Sequence, residues 1–136
     1  MKQRIKSRET RGNPGGIASR GDVAASYLDD SPAFSLKFLQ RTHCLSACIE
    51  REKADFAEAI FKRRNMTWNQ LIQSGRHELG CEKITGNMKV ALPDIAKKKT
   101  ILAFRFSGNK PMIGFRERGV FFILWFDRDF SVYDHG

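Results

Sequence analysis

Four side chains in the last third of the chain have the chemistry to bind a phosphate group and to transfer a proton: Arg105, Arg116, Tyr133 and His135. Each lies in or beside a segment with the two-residue hydrophobic period of a strand. If helices cover the face that carries the phenylalanines, we expect both arginines to lie on the opposite, open face, beside the Tyr–His pair. Arginine binds phosphate through paired hydrogen bonds, and histidine transfers protons near neutral pH. The pattern predicts a phosphate site, although a solvated sheet face carries the same residue types.

A second group of candidates lies in the loop before these strands. Glu82 has the chemistry of a general base, and His77 is an alternative acid or base. Arg76 and Lys83 supply positive charge in the same loop. For any one of these residues, a solvated position in a connecting loop is the simpler interpretation.

Positive charge is concentrated in one stretch of the chain. The net charge is +9, and residues 76–118 contain ten Lys and Arg against four Asp and Glu. Three consecutive lysines, Lys97, Lys98 and Lys99, lie within this stretch. Such an excess indicates a polyanionic partner, with nucleic acid as the first candidate.

Two sets of side chains suggest metal binding instead. The ligand types of a tetrahedral zinc site occur at Cys44, Cys48, His77 and Cys81. Their spacing is not that of a zinc knuckle, and cysteine is also a common small core residue. Asp127, Asp129 and Asp134 offer oxygen ligands for magnesium. We interpret the first two as turn residues, because Asp is favoured where a strand ends.

The chain that must position these residues divides near residue 33. Residues 1–32 contain no Phe or Trp and several Gly, which predicts a basic, mostly disordered arm. Residues 33–136 hold all 11 Phe and are expected to form a single domain. The arm either adds phosphate contacts or is inert.

Hydrophobic periods predict the elements of this domain. Alternation predicts a strand at 33–39, and an apolar stripe predicts a helix at about 46–64. A capping box at Thr67–Gln70 opens a short second helix that stops near Gly75. Four further strands are predicted, at 101–106, 112–116, 120–126 and 130–133. The order β-α-α-β-β-β-β predicts an α+β fold with two helices packed on one face of an antiparallel sheet.

Composition also bears on the compartment. The chain has three cysteines, no apolar run long enough to span a bilayer and no apolar segment after its charged N-terminus. An odd cysteine count argues against a disulfide framework. We therefore expect a cytoplasmic protein with no membrane partner.

The order of elements, with the residues at their ends, resembles the RelE/ParE superfamily of small basic toxins. The stretch Glu82-Lys83-Ile84-Thr85-Gly86-Asn87 is similar to the family's x-K-L-x-G-N segment, which leads into the first strand of its meander. Arg105 lies where the family carries an arginine on that strand. Tyr133 and His135 close the chain as Tyr and His often do in its ribonucleases. The resemblance covers about residues 33–136.

The resemblance implies a metal-independent endoribonuclease that cleaves mRNA, in many members on the ribosome. The chemistry is attack of a ribose 2′-hydroxyl on the adjacent phosphate. The implied roles are Glu82 (or His77) as base, Arg105 and Arg116 on the phosphate, His135 as acid, and Tyr133 as an orienting or stacking group. It further implies no cofactor and a protein antitoxin that covers the basic face.

A non-catalytic function is the alternative. The same family includes gyrase-poisoning members that do not cleave RNA, so membership alone does not settle activity. The alternative is a basic module that binds nucleic acid or a ribonucleoprotein through the arm and Lys97–Lys99.

Overall fold

The computed structural model describes residues 27–75 and 78–134, which contain a five-stranded sheet and two α-helices. The elements are β1 Ala33–Ser35, α1 Glu50–Arg63, α2 Trp68–Ser74, β2 Cys81–Lys83, β3 Ile101–Ser107, β4 Lys110–Glu117 and β5 Val120–Phe126. The strands are arranged in the order β1-β5-β4-β3-β2. The predicted α+β class is confirmed. The sheet is mixed rather than purely antiparallel, because β1 pairs in parallel with β5.

The helices follow the local signals of the sequence. At the start of α2 the Gln70 N–H donates to Thr67 Oγ1 at 3.2 Å, and the Thr67 N–H donates to Gln70 Oε1 at 2.9 Å, which is the predicted capping box. Gly75 ends this helix with a positive φ of 71°. At the N-terminus of α1 only one half of such a cap is present, in which the Ile49 N–H donates to Glu52 Oε1 at 2.9 Å.

The number of strands is as predicted, but one of them is a different segment. Residues 130–133 form no strand, because the Asp127 carboxylate accepts the backbone N–H groups of Ser131 and Val132 and turns the chain. Tyr133 then makes an isolated bridge with Met88. The fifth strand is instead β2, which lies in the stretch that we expected to be a loop and pairs with β3.

Both faces of the sheet are covered. The helices pack on one face over a core that includes Trp68, Leu71 and Phe104. On the other face, Ile113 and Trp125 pack beneath residues 84–96, 38 and 132–133. The prediction that one face of the sheet is open is therefore wrong. The strands β3, β4 and β5 are apolar on both sides, and a sheet of that kind has both faces buried.

The folded part begins before residue 33. Leu28 packs against the helix-side core, and the Trp68 N–H donates to the Asp30 carbonyl at 2.9 Å. Residues 27–32, assigned to the arm from composition, thus contact the domain. The rest of the predicted arm, residues 1–26, lies outside the described residues. No helix in the described part of the chain is long and apolar enough to cross a membrane.

Candidate functional site

The register between β3 and β4 separates the two arginines that the sequence placed together. Leu102 pairs with Gly114 and Phe104 with Met112. Directly paired residues project to the same face, so Arg116 shares the helix-covered face with Phe104. Its guanidinium carbon lies 5.4 Å from the centre of the Trp68 ring. Arg105 lies on the opposite face, and the prediction that both arginines share one face is wrong. Alternation within each strand was visible in the sequence, but the register between strands was not.

Two other predicted site residues, Glu82 and Tyr133, do share a face with Arg105. Glu82 pairs with Ala103, two residues from Arg105 on β3, so both project to the face away from the helices. Tyr133 packs on that face in the cluster that contains Ala103, and it is 5% exposed. The ring would have to leave this cluster to stack on a base. Arg76, His77 and His135 lie outside the described residues.

Arg105 is held mainly by its backbone. Its carbonyl accepts a hydrogen bond from Arg63 at 3.2 Å. Its side chain is half-buried, and Nε is buried with no hydrogen-bond acceptor among the described residues. A buried donor without a partner is costly, so a ligand that accepted this hydrogen bond would recover the loss.

The predicted basic residues converge on the helix side of the sheet. A cleft of about 530 Å³, here called the basic cleft, opens between α2, β2 and the loop before β3. Its lining is Ile72, Cys81, Lys83, Lys98, Lys99, Thr100, Leu102 and Arg116. Arg116 reaches it because the β3–β4 register turns that residue toward the helices. The sequence indicated the lysines individually but not their meeting with Arg116.

Most of the positive charge in the basic cleft is uncompensated. Lys99 Nζ lies 2.7 Å from Glu117 Oε1, and this hydrogen bond lowers the pKa of Glu117. Lys83 and Lys98 have no carboxylate within ion-pair distance in the described part of the chain. Arg116 donates to the Arg118 carbonyl at 2.9 Å. The cleft therefore presents Lys83, Lys98 and Arg116 without a carboxylate partner among the described residues.

The floor of the basic cleft is apolar. Cys81 and Leu102 form part of it, and burial raises the pKa of the Cys81 thiol, which stays neutral. No Asp, Glu or His lines the cleft within the described residues. The arrangement suits binding of an anion, and its described lining offers no carboxylate or imidazole for proton transfer. Lys97, predicted with its neighbours, lies apart and pairs with Asp94 at 3.0 Å.

A second cleft, of about 330 Å³, carries mixed charge and serves the fold. Arg63 and Arg105 are among its lining residues. Arg63 is 1% exposed, and its guanidinium carbon lies 5.1 Å from the centre of the Phe104 ring. Arg63 donates to three carbonyls, those of Leu79, Ala59 and Arg105. Desolvation lowers its pKa to about 10. This residue ties α1 to β3 and to the loop before β2.

The metal sites suggested by the sequence do not assemble. The thiols of Cys44, Cys48 and Cys81 are free, and they do not form a group at ligand distance among the described residues. His77, the fourth predicted zinc ligand, is outside those residues. Asp134 does not join Asp127 and Asp129 in such a group either.

His43 joins the two aspartates instead. Ligand atoms of His43, Asp127 and Asp129 lie within 4.8 Å of one another. His43 Nε2 is 2.7 Å from Ser131 Oγ, which donates to Asp129 Oδ1 at 2.6 Å. Both oxygens of Asp127 accept backbone N–H groups, as the turn interpretation predicted. The meeting of His43 with these aspartates could not be predicted from the sequence, because 88 residues separate His43 from Ser131.

Comparisons with protein-family models, with curated proteins and with solved structures found no match to this chain.

Proposed function

We propose that the protein binds RNA through the basic cleft. The observation that carries this proposal is the convergence of Lys83, Lys98, Lys99 and Arg116 on one cleft, with Glu117 as their one carboxylate partner in the described part of the chain. Phosphate oxygens would supply the missing partners and release counterions on binding. The resemblance to RelE/ParE toxins supports RNA as the polyanion, and makes the ribosome and a protein antitoxin the expected partners.

The cleft also has the chemical composition that suits a nucleic acid strand. Its floor is apolar and its rim is cationic. Lysine reaches a phosphate as a mobile point charge, whereas Arg116 offers a planar fork for two phosphate oxygens. Neither type of contact reads sequence, so we expect affinity with little base preference from the cleft alone.

The direct test is binding of a labelled single-stranded RNA of about 12 nucleotides, measured by fluorescence anisotropy. We expect Lys83→Ala/Lys98→Ala to weaken binding about tenfold or more, because two phosphate contacts are lost. Lys53→Ala is the matched control, since Lys53 is an exposed lysine on α1 outside the cleft. If both variants bind like the wild type, the cleft is not the RNA site.

A second candidate function is cleavage of the bound RNA, as in the RelE-like endoribonucleases. The observation that favours it is that Glu82, Arg105 and Tyr133 share one face of the sheet. In this reaction Glu82 takes the proton of a ribose 2′-hydroxyl, whose oxygen forms a bond to the adjacent phosphorus. The bond from phosphorus to the 5′ oxygen breaks, which leaves a 2′,3′-cyclic phosphate. Arg105 neutralises the phosphate oxygens, and His135 gives a proton to the leaving oxygen.

Induced expression with mapping of RNA 5′ ends tests this second candidate. We expect growth arrest and new 5′ ends inside translated codons. Glu82→Gln should abolish both while leaving the protein folded, since Glu82 is exposed at the edge of the sheet. Intact RNA after expression of the wild type, with and without ribosomes, would leave only the binding function.

A further inference from the structure

A third depression, a groove, lies at the same end of the sheet as the basic cleft but on the opposite face. It has a volume of about 430 Å³ and is here called the aromatic groove. Its lining is Lys37, Phe38, Ile95, Phe115, Glu117, Arg118, Val120 and Phe122. Residues of β4 alternate between the two depressions, because Phe115 and Glu117 line the groove while Arg116 lines the cleft.

The two depressions share a wall. Lys99 lines the basic cleft, and its Nζ bonds to Glu117 of the aromatic groove at 2.7 Å. The same Nζ lies 5.9 Å from the centre of the Phe115 ring. A chain that leaves the cleft past Lys99 therefore arrives directly at the aromatic groove.

Three phenyl rings form one side of the groove. Phe115 and Phe122 stack with ring centres 5.3 Å apart, and Phe38 lies 5.2 Å from Phe122. Phe115 is 1% exposed, whereas Phe38 and Phe122 are half-buried and show part of their rings to the groove. Lys37 Nζ lies 5.4 Å from the centre of the Phe38 ring.

This combination differs from that of the basic cleft, where cations surround an aliphatic and thiol floor. In the groove, partly exposed rings are flanked by Lys37 and Arg118. Proteins that bind single strands combine cations along the backbone path with aromatic rings on which bases stack. A duplex cannot use such a ring unless a base leaves its stack.

We propose that the ligand is single-stranded RNA, with a base stacked on Phe38 or Phe122 while its backbone crosses Lys99 into the basic cleft. This inference rests on the proposed RNA-binding function. Lys37 and Arg118 neutralise the phosphates that flank the stacked base. Glu117 is the carboxylate that phosphate has to compete with for Lys99 at the crossing point.

The test compares three ligands of about 12 nucleotides by fluorescence anisotropy: oligo-U, the same ribose–phosphate chain without bases, and a duplex of equal length. We expect oligo-U to bind the wild type about tenfold more tightly than either of the other two. Phe38→Leu should remove that advantage, lowering affinity for oligo-U about tenfold with no change for the chain without bases. Phe61→Leu is the matched control, because Phe61 is 55% exposed on α1 and lies outside both depressions.

Thermal unfolding shows whether each variant is folded. Phe122→Leu replaces Phe38→Leu if the latter is unfolded. If Lys83→Ala/Lys98→Ala weakens binding but neither Phe variant does, RNA binding stands and base stacking in the groove is wrong. Equal affinity for oligo-U and for the duplex also overturns the inference. If the wild type binds none of the three ligands, the proposed function fails and this inference fails with it.

Discussion

The cations near the two ends of β4 differ in whether a carboxylate neutralises them. At its start, Lys110 Nζ bonds to Glu52 Oε2 at 2.7 Å, and Arg128 Nε bonds to the other oxygen at 3.0 Å. Glu52 is 1% exposed, and these two hydrogen bonds, led by that of Lys110, lower the pKa of its carboxyl to about 2. Near the other end, Arg116 enters the basic cleft beside Lys83 and Lys98, which have no carboxylate partner in the described residues.

This contrast shows that a net charge of +9 contains two kinds of cation. Lys110 and Arg128 neutralise a buried carboxylate and so belong to the stability of the fold. In the basic cleft, Lys83 and Lys98 have no carboxylate partner among the described residues, so their charge is left to act on anions in solution. Only the second kind contributes to the attraction of a polyanion at short range.

The largest expected effect comes from removing the charge of Glu52, which neutralises the cations at the start of β4. Glu52→Gln should lower the free energy of unfolding by about 2–3 kcal/mol, because it leaves two cations beside a buried neutral group and weakens the cap of α1. The estimate is below that for a fully buried pair, since Lys110 and Arg128 are 34% and 39% exposed. Urea denaturation measures it. Glu50→Gln, in the same first turn but exposed, should change stability by less than about 0.5 kcal/mol. Equal losses in both variants would contradict this role for Glu52.

Low pH should remove the difference in stability between the wild type and Glu52→Gln. The pKa of Glu52 is about 2 in the folded protein, below its ordinary value of 4.5, so the folded state favours the ionised form. The stabilisation is fully present above pH 4.5 and is lost as the pH falls through 2. Denaturation curves at descending pH should therefore show the wild type approaching Glu52→Gln. A constant gap between the two proteins down to pH 2 would contradict the assignment.

A smaller effect is expected at the cleft. Glu117→Gln removes the carboxylate that pairs with Lys99, so we expect RNA affinity to rise severalfold. Stability should hardly change, because Lys99 and Glu117 are 35% and 52% exposed and solvent weakens their attraction. RNA titration and urea denaturation of the same preparation measure both quantities. Weaker RNA binding by this variant would mean that the ion pair itself belongs to the binding surface.

Local signals in the sequence predicted more of this fold than of its site. The capping box of Thr67 and Gln70 needs only four consecutive residues, and it forms as predicted. By contrast, β2 has three residues and exists because β3 offers it an edge. Its pattern alone is too short to indicate a strand.

The candidate site could not be predicted from any single segment, because it depends on how strands pair and on what covers the sheet. The direction of Arg116 follows from the pairing of Leu102 with Gly114, and a shift of one residue would turn it to the other face. The second face of the sheet is covered by residues 84–96 and the C-terminal segment, which have no periodic pattern of their own. The lysines could be recognised from the sequence as a cluster of positive charge, because charge does not depend on register.

The salt dependence of RNA binding tests the central claim most directly. For a single strand, each phosphate contact contributes about 0.7 to the slope of log K against log salt. Measured between about 50 mM and 200 mM salt, the slope for Lys83→Ala/Lys98→Ala should be shallower than that of the wild type by about 1.4. Lys53→Ala should keep the wild-type slope. Equal slopes for the double variant and the wild type would contradict the claim that the uncompensated cations of the basic cleft contact phosphates.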